Sequence, residues 1–186
     1  MNKRQEILEA AFDMLATDGL ESVHARTVAA RVGVNHAAVH YYFRTREDLL
    51  LAVFALLKER FEADRERFLA TASSPAGRVE ALVLQGEAYC KPNSRLIRAL
   101  SGLLAASRGI PSLKTALEEF VATWAKGLKK EIDAARGTGG VRADSQFADG
   151  DSLLAAILGA GLIAQVRENN RFAAKHFDRV VNDLMA

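Results

Sequence analysis

A chain of 186 residues is long enough for one or two small domains with a real core, and 49% apolar against 26% charged residues points to a soluble globular protein. Lys and Arg number 25 and Asp and Glu 23, a net charge of +2, so bulk charge does not argue for a polyanionic partner and any such case must come from geometry. Cys90 is the single cysteine, which excludes an intrachain disulfide and a Cys-based zinc site and fits a reducing cytoplasm.

Every element reads as a helix. Gly and Pro are sparse, and Val, Ile and Thr never alternate as they do in strands. Met1 to Arg4 leads into an amphipathic pattern with Glu6, Glu9 and Asp13, not into the apolar core of a signal peptide. Ile7, Leu8, Ala11, Phe12 and Leu15 define a first helix, with Gly19 as its stop. A short helix follows from about Arg26 to Val32, with Val28, Ala29 and Val32 inward. Gly33 marks a tight turn, and Asn35 caps a third short helix that runs to about Phe43. Thr45 caps a long fourth helix, whose stripe is Leu50, Val53, Phe54, Leu57, Phe61 and Phe68 and whose first turn carries Glu47 and Asp48. After the break Ser73 to Gly77, helices are expected over 78–91 and 94–109, split at Pro92-Asn93. After the break Arg108 to Ser112, the residues Leu113, Leu117, Phe120, Val121, Trp124, Leu128 and Ile132 define a long amphipathic helix. Arg136 to Ser145 reads as loop, and two helices, about 149–167 and 171–185, close the chain. The longest uncharged run, Ser152 to Val166, falls short of the ~20 apolar residues of a membrane span, so a buried helix is expected there. The sum is an all-α chain of about nine helices.

The segment Asn35 to Phe43 carries the functional signal. On a 3.6-residue period Val39 and Phe43 share one side, and His36, Ala37, His40 and Tyr41 share the opposite one. Two short helices joined by a Gly turn, the second with a polar and aromatic outer face, fit a helix-turn-helix. Small Ala37 and Ala38 let the backbone approach a groove floor, and Asn, His and Tyr can donate to phosphates or base edges. Arg46 and the N–H groups opening the fourth helix suggest a second phosphate site. Geometry alone leaves equally open that this is a solvated face on a structural corner.

Residues 4–54 resemble the N-terminal domain of the TetR family of bacterial transcriptional repressors. The resemblance is carried by "RQEILEAAFDMLATDGLESV", "TVAARVGVNHAAVHYYF" and "RTREDLLLAVF", in that order. It implies about nine helices, a homodimer and a variable C-terminal ligand domain, with a helix-turn-helix domain over 1–46 and a ligand-binding and dimerisation domain over 47–186. The candidate DNA-binding residues are Arg4, Arg26, Thr27, Asn35, His36, Ala37, His40, Tyr41 and Arg46. The sequence departs from the family's pattern in four places. The usual Ser or Thr cap of the second helix is missing, leaving Ser22 or Thr27; a common Tyr is His40; the usual Lys opening helix four is Arg46; and His36 stands near the recognition-helix start. These departures bear on the operator sequence.

Residues 47–186 carry no further matched motif. Gln85 and Tyr89, one helical turn apart, together with Phe120 and Trp124, are candidates for lining a ligand cavity, with ordinary core packing as the other reading. The small-residue row Ala156, Ala160 and Ala164, with Leu153, Ile157 and Gly161 beside it and Leu117 and Leu128 on the preceding helix, suggests a four-helix dimer seam; a core helix of the monomer is the alternative. Cys90 reads as a small buried hydrophobe rather than a sensor thiol, and His176 as a solvated face residue. No catalytic set, cofactor motif or metal spacing emerges; His36 and His40 are one turn apart but lack a third ligand. The sequence therefore predicts no enzyme. It predicts a cytoplasmic repressor, a homodimer that binds a palindromic double-stranded operator and is released by a small hydrophobic effector. The alternatives are a ligand-independent regulator or activator, or a small-molecule-binding protein that has lost operator binding.

Overall fold

The structure, a computed structural model, describes residues 2–91, 94–167 and 170–185. The break expected at Pro92-Asn93 lies outside the described residues. Among the described residues the chain is all-α, with α1 (Lys3–Thr17), a 3-10 helix (Leu20–Ser22), α2 (Ala25–Arg31), α3 (His36–Tyr42), α4 (Arg46–Leu69), α5 (Pro75–Tyr89), α6 (Arg95–Ala106), α7 (Pro111–Arg136), α8 (Gly150–Arg167) and α9 (Asn170–Leu184). Local chemistry sets the ends. Asn2, Asn35 and Ser74 each accept a backbone N–H from the first turn of α1, α3 and α5, and Pro75 starts α5 three residues earlier than the apolar periodicity suggests.

The helices pack as two units, neither continuous in sequence. The first comprises Met1–Phe61 and Arg95–Glu118, the second Glu62–Ser94 and Glu119–Ala186. The division expected between residues 46 and 47 is therefore not where the packing divides the chain. In the first unit, α6 lies along α1. The approach is close because residue 102 is Gly: a Cβ there would come within 2.6 Å of Leu15 Cδ1. Ile7, Phe12, Val28, Leu50, Val53, Phe54, Ile97 and Leu103 form the core of this unit.

In the second unit α5 packs against α8 and α9. Gly86 sets that distance, since a Cβ on it would lie 2.7 Å from Ile157 Cγ1. The start of α8 is pressed against α7, where a Cβ on Gly150 would meet the Ala125 carbonyl oxygen at 2.0 Å. The core here is Val79, Leu82, Ile132, Leu153, Ile157, Phe177, Val180 and Leu184. One carboxylate is buried with it. Glu131 accepts both Nε and Nη2 of Arg78, at 2.7 and 2.9 Å, and Arg65 stands 3.6 Å away. The hydrogen bonds from Arg78 outweigh the cost of burial and hold the Glu131 carboxyl below its usual range.

This packing corrects the expected dimer seam. Leu153, Ile157, Ala160, Gly161 and Ala164 are buried inside the second unit, and Ala156 is half-buried. Leu117 is buried in the first unit and Leu128 in the second. The small-residue row does allow close approach, but to helices of the same chain. The uncovered side of α8 is Leu162, Ile163 and Val166, with Ala155 on the same side. By length and a mean hydropathy of 1.2, α8 is the one candidate membrane span among the described residues.

Candidate nucleic-acid interface

Helices α2 and α3 meet at a turn that only Gly makes without strain. Gly33 has φ 67°; its N–H donates to Ala30 O, and that of Val34 donates to Ala29 O at 3.0 Å. These two bonds satisfy the last carbonyls of α2 and reverse the chain within two residues. Asn35 then caps α3, accepting the N–H of Ala37 at 3.0 Å. Val39 and Phe43 pin α3 to the core at 1% and 3% exposure. The opposite face is left in water: His36, Ala37 and His40 are exposed, and Tyr41 is 80% exposed. A phenol ring left that open has no role in packing the unit.

The rings and caps on this face hold one another in place. His36 and His40 meet edge to face, 6.2 Å between centroids, and Tyr41 and Tyr42 do the same at 5.0 Å. His40 Nδ1–H donates to Arg44 O at 3.3 Å, which leaves Nε2 as the outward nitrogen. The exposed guanidinium of Arg4 lies over the Phe43 ring at 5.1 Å, at the base of α3. Arg26 is exposed on the first turn of α2. The arrangement presents imidazole, phenol and guanidinium donors around a helix whose first turn is slim at Ala37. That combination suits phosphates and base edges of a major groove.

Two expectations change. The cap of α2 is neither Ser22 nor Thr27 but His24, whose ring accepts the Thr27 N–H while Thr27 Oγ1 accepts the His24 N–H at 3.2 Å. Thr27, though exposed, thus supplies the returning half of a capping box. The signal was present as a side-chain acceptor followed three residues later by Thr. Arg46, expected as a free cation for phosphate, is half-buried. Its Nε donates to Val23 O at 2.9 Å and its Nη2 to Leu20 O at 2.7 Å. It ties the 3-10 turn to the start of α4. The N–H groups opening α4 are also engaged, because Thr45 Oγ1 accepts the Asp48 N–H and Asp48 Oδ2 the Thr45 N–H, both at 3.0 Å.

In the second unit the four residues expected around a ligand do come together. Gln85 Nε2 donates to Tyr89 Oη at 2.5 Å, Tyr89 meets Trp124 edge to face at 6.3 Å, and Phe120 lies 5.6 Å from Trp124. Gln85 and Tyr89 are both only 3% exposed, and burial pushes the Tyr89 hydroxyl well above its usual range. An opening that the sequence reading missed lies on a different face of α5. It measures about 380 Å³ and is walled by Phe68, Leu84, Ala88 and Ala173, with Glu87 and Lys91 as its charged groups. Cys90 also lines it, but the thiol is buried and pushed up to about 12, so it is a small hydrophobe in practice. His176 departs from expectation: it is half-buried between Phe172 and Phe177.

A Gly-turned pair of short helices with one face in water, carried at the front of an all-helical chain, defines a helix-turn-helix protein. Residues 7–53 match the family described as bacterial regulatory proteins, tetR family, and so carry that family's N-terminal helix-turn-helix domain. It is similar to the HTH-type transcriptional regulator BetI of Rhizobium meliloti, 30% identical over 81 residues, 44% of this chain and 40% of that one. It is also similar to the HTH-type nicotine-responsive transcriptional repressor HdnoR of Paenarthrobacter nicotinovorans, 33% identical over 60 residues, 32% of this chain and 31% of that one. The matched stretch thus spans less than half the length of these curated relatives. A TetR transcription regulator from Haloarcula marismortui superposes with a TM-score of 0.83 over 98% of both chains at 22% identity, which extends the shared fold to the whole chain.

Proposed function

We propose that the protein is a DNA-binding transcriptional repressor, a homodimer that holds a palindromic operator in the absence of a small apolar effector. The observation that carries this reading is the outer face of α3, where Tyr41 at 80% exposure stands with His36, Ala37 and His40 above a buried Val39. Each protomer inserts α3 in a major groove, where Asn35, His36, His40 and Tyr41 meet base edges and phosphates while Ala37 lets the backbone close in. Arg4 and Arg26 neutralise flanking phosphates, Thr27 holds the start of α2, and Arg46 acts by fixing the turn that carries α2.

The dimer seam in this reading uses the uncovered side of α8, Ala155, Leu162, Ile163 and Val166, against the same side of a second copy. Aliphatic side chains in a row gain by leaving water, and a two-fold pairing covers both rows at once. The effector enters the second unit, with the opening beside Phe68 and Leu84 as its entrance and the Gln85–Tyr89 pair beneath α5 as its polar anchor. The similarity to a nicotine-responsive repressor supports a small-molecule signal. Helix α4 is continuous from Arg46 to Leu69, so its end lines the opening and its start carries the cap beside α3. An effector that binds the two states of α4 unequally shifts the operator-bound population.

A gel shift on the DNA flanking the protein's own gene tests the reading. A retarded complex with the wild-type chain, lost with Tyr41→Ala, supports it. A complex of equal strength with both chains removes α3 from the interface.

A further inference from the structure

The end of α8 and the first turns of α9 frame a cleft of about 290 Å³, lined among the described residues by Arg167, Arg171, Phe172, Lys175, His176 and Arg179, with no carboxylate among them. Arg171, Lys175 and Arg179 recur every fourth residue, so they stack along one face of α9, and Arg167 joins them from α8. All four are exposed. Elsewhere in the second unit the arginines Arg65, Arg67, Arg78, Arg136 and Arg142 each stand beside an acid, whereas these four have no carboxylate partner among the described residues. Like charges one helical turn apart repel each other, so the row is held at a cost that an anion would relieve.

The cleft is also braced. The Arg167 guanidinium lies 4.7 Å from the Phe172 centroid, Phe172 stacks on His176 at 5.9 Å and 22°, and His176 meets the core residue Phe177 edge-on at 5.2 Å. This chain of contacts leads from the core to the fork of Arg167 and limits the freedom that fork would lose on binding. His176 Nε2 is buried without a hydrogen-bond partner, a polar atom in the cleft wall that the fold itself does not use. From residue 171 to 179 the row rises about 12 Å along α9, more than one phosphate can span and well suited to two or three in line.

We propose that this cleft binds a small polyphosphate anion, with two or more phosphate groups lying along Arg171, Lys175 and Arg179 and the fork of Arg167 closing on one end. Guanidinium forks bind phosphate oxygens in pairs, and the ammonium of Lys175 adds a point charge between them. The concave shape and modest volume favour a small molecule over a duplex. The site does not depend on operator binding, and its test is independent of it.

The test is calorimetric titration of the full chain with sodium tripolyphosphate, against orthophosphate and sulfate at matched ionic strength. The expected result is one tripolyphosphate per chain, bound at least about tenfold tighter than orthophosphate. R171Q/R179Q weakens it by about tenfold or more, because each fork lost removes a pair of charge-assisted bonds. Arg167→Gln alone weakens it less. R98Q/R108Q removes the same charge from exposed positions elsewhere and leaves affinity unchanged. Gln keeps helix propensity at the helical positions, Arg108 lies in the turn after α6, and circular dichroism checks that each variant is folded. The proposal is overturned if the wild-type chain takes up no tripolyphosphate or does not distinguish it from orthophosphate. It is equally overturned if the R98Q/R108Q control loses as much, which would mean diffuse attraction. A change in mass by light scattering for R171Q/R179Q, with affinity intact, would assign the row to contact between copies, and displacement of tripolyphosphate by random-sequence duplex at lower concentration would assign it to DNA; either outcome overturns the small-molecule site.

Discussion

Helices α3 and α8 each leave one face uncovered, and the two faces are made of different chemistry. On α3 the uncovered side chains are imidazoles and a phenol around an Ala, all able to exchange water for phosphate oxygens or base edges. On α8 they are Leu162, Ile163 and Val166, which can exchange water only for other apolar surface. The same helical geometry thus points to two kinds of partner. A face that keeps its hydrogen-bonding groups in water suits a hydrated polyanion, and a face of aliphatic groups suits a second protein surface. The second unit repeats the lesson at its α9 end, where exposed cations with no carboxylate partner among the described residues suit an anion.

The largest effect is expected from breaking the α8 face. Ile163 and Val166 are 43% and 83% exposed in the single chain, so replacing both with Arg leaves each chain folded but places four charges across a two-fold seam. The variant should run as a folded monomer by light scattering, with operator affinity down by a hundredfold or more, roughly the loss of one half-site's contribution. A dimer of unchanged mass would move the seam to another surface and leave the α8 row unexplained.

A smaller effect separates residues that hold a face from residues that form it. Arg46→Ala removes two donors from the Leu20 and Val23 carbonyls and should destabilise the first unit by about 1–2 kcal/mol, read as a lower urea midpoint. The slope of operator affinity against salt should stay as it was, because Arg46 is a strut in this account. A slope reduced by about one per protomer, with stability unchanged, would make Arg46 a phosphate contact after all.

The buried carboxylate of the second unit gives a pH-dependent effect. Glu131 has its folded-state pKa depressed, chiefly by its hydrogen bonds from Arg78. A depressed carboxylate contributes stability that is fully present above its unfolded pKa and is lost as pH falls through the folded value. Glu131→Gln should therefore cost about 1–3 kcal/mol at neutral pH, less than a fully buried pair because Arg78 is partly exposed, and the gap to the wild-type chain should close as pH falls below the ordinary carboxylate range. A gap that stays constant with pH would mean that shape, not charge, holds this site.

How much of this was legible in the sequence follows the range of the interactions. The α3 face was readable because one nine-residue period, one Gly and one Asn define it, and all of its determinants are neighbours. The inward turn of Arg46 was not, since its acceptors at Leu20 and Val23 lie more than twenty positions away in the chain. The His24 cap was missed because the expected cap residues are hydroxyl and carboxamide side chains, although an imidazole nitrogen can accept the same bond. Helix α8 misled for another reason. It is apolar on nearly every side, so its period could mark it as helix but not say which side the chain itself would cover. Gly86 and Gly150 settled that by letting α5 and α7 approach on the Ile157 side, leaving Leu162, Ile163 and Val166 outward.

Whether the uncovered face of α3 reads DNA is decided by a footprint on the DNA flanking the protein's own gene. Two half-sites should be protected, their centres about one helical turn, roughly 34 Å, apart. Tyr41→Ala, at unchanged thermal stability, should abolish protection at concentrations where the wild-type chain is saturated, a loss of about 1–3 kcal/mol per protomer. Protection by Tyr41→Ala equal to that by the wild-type chain would contradict the account.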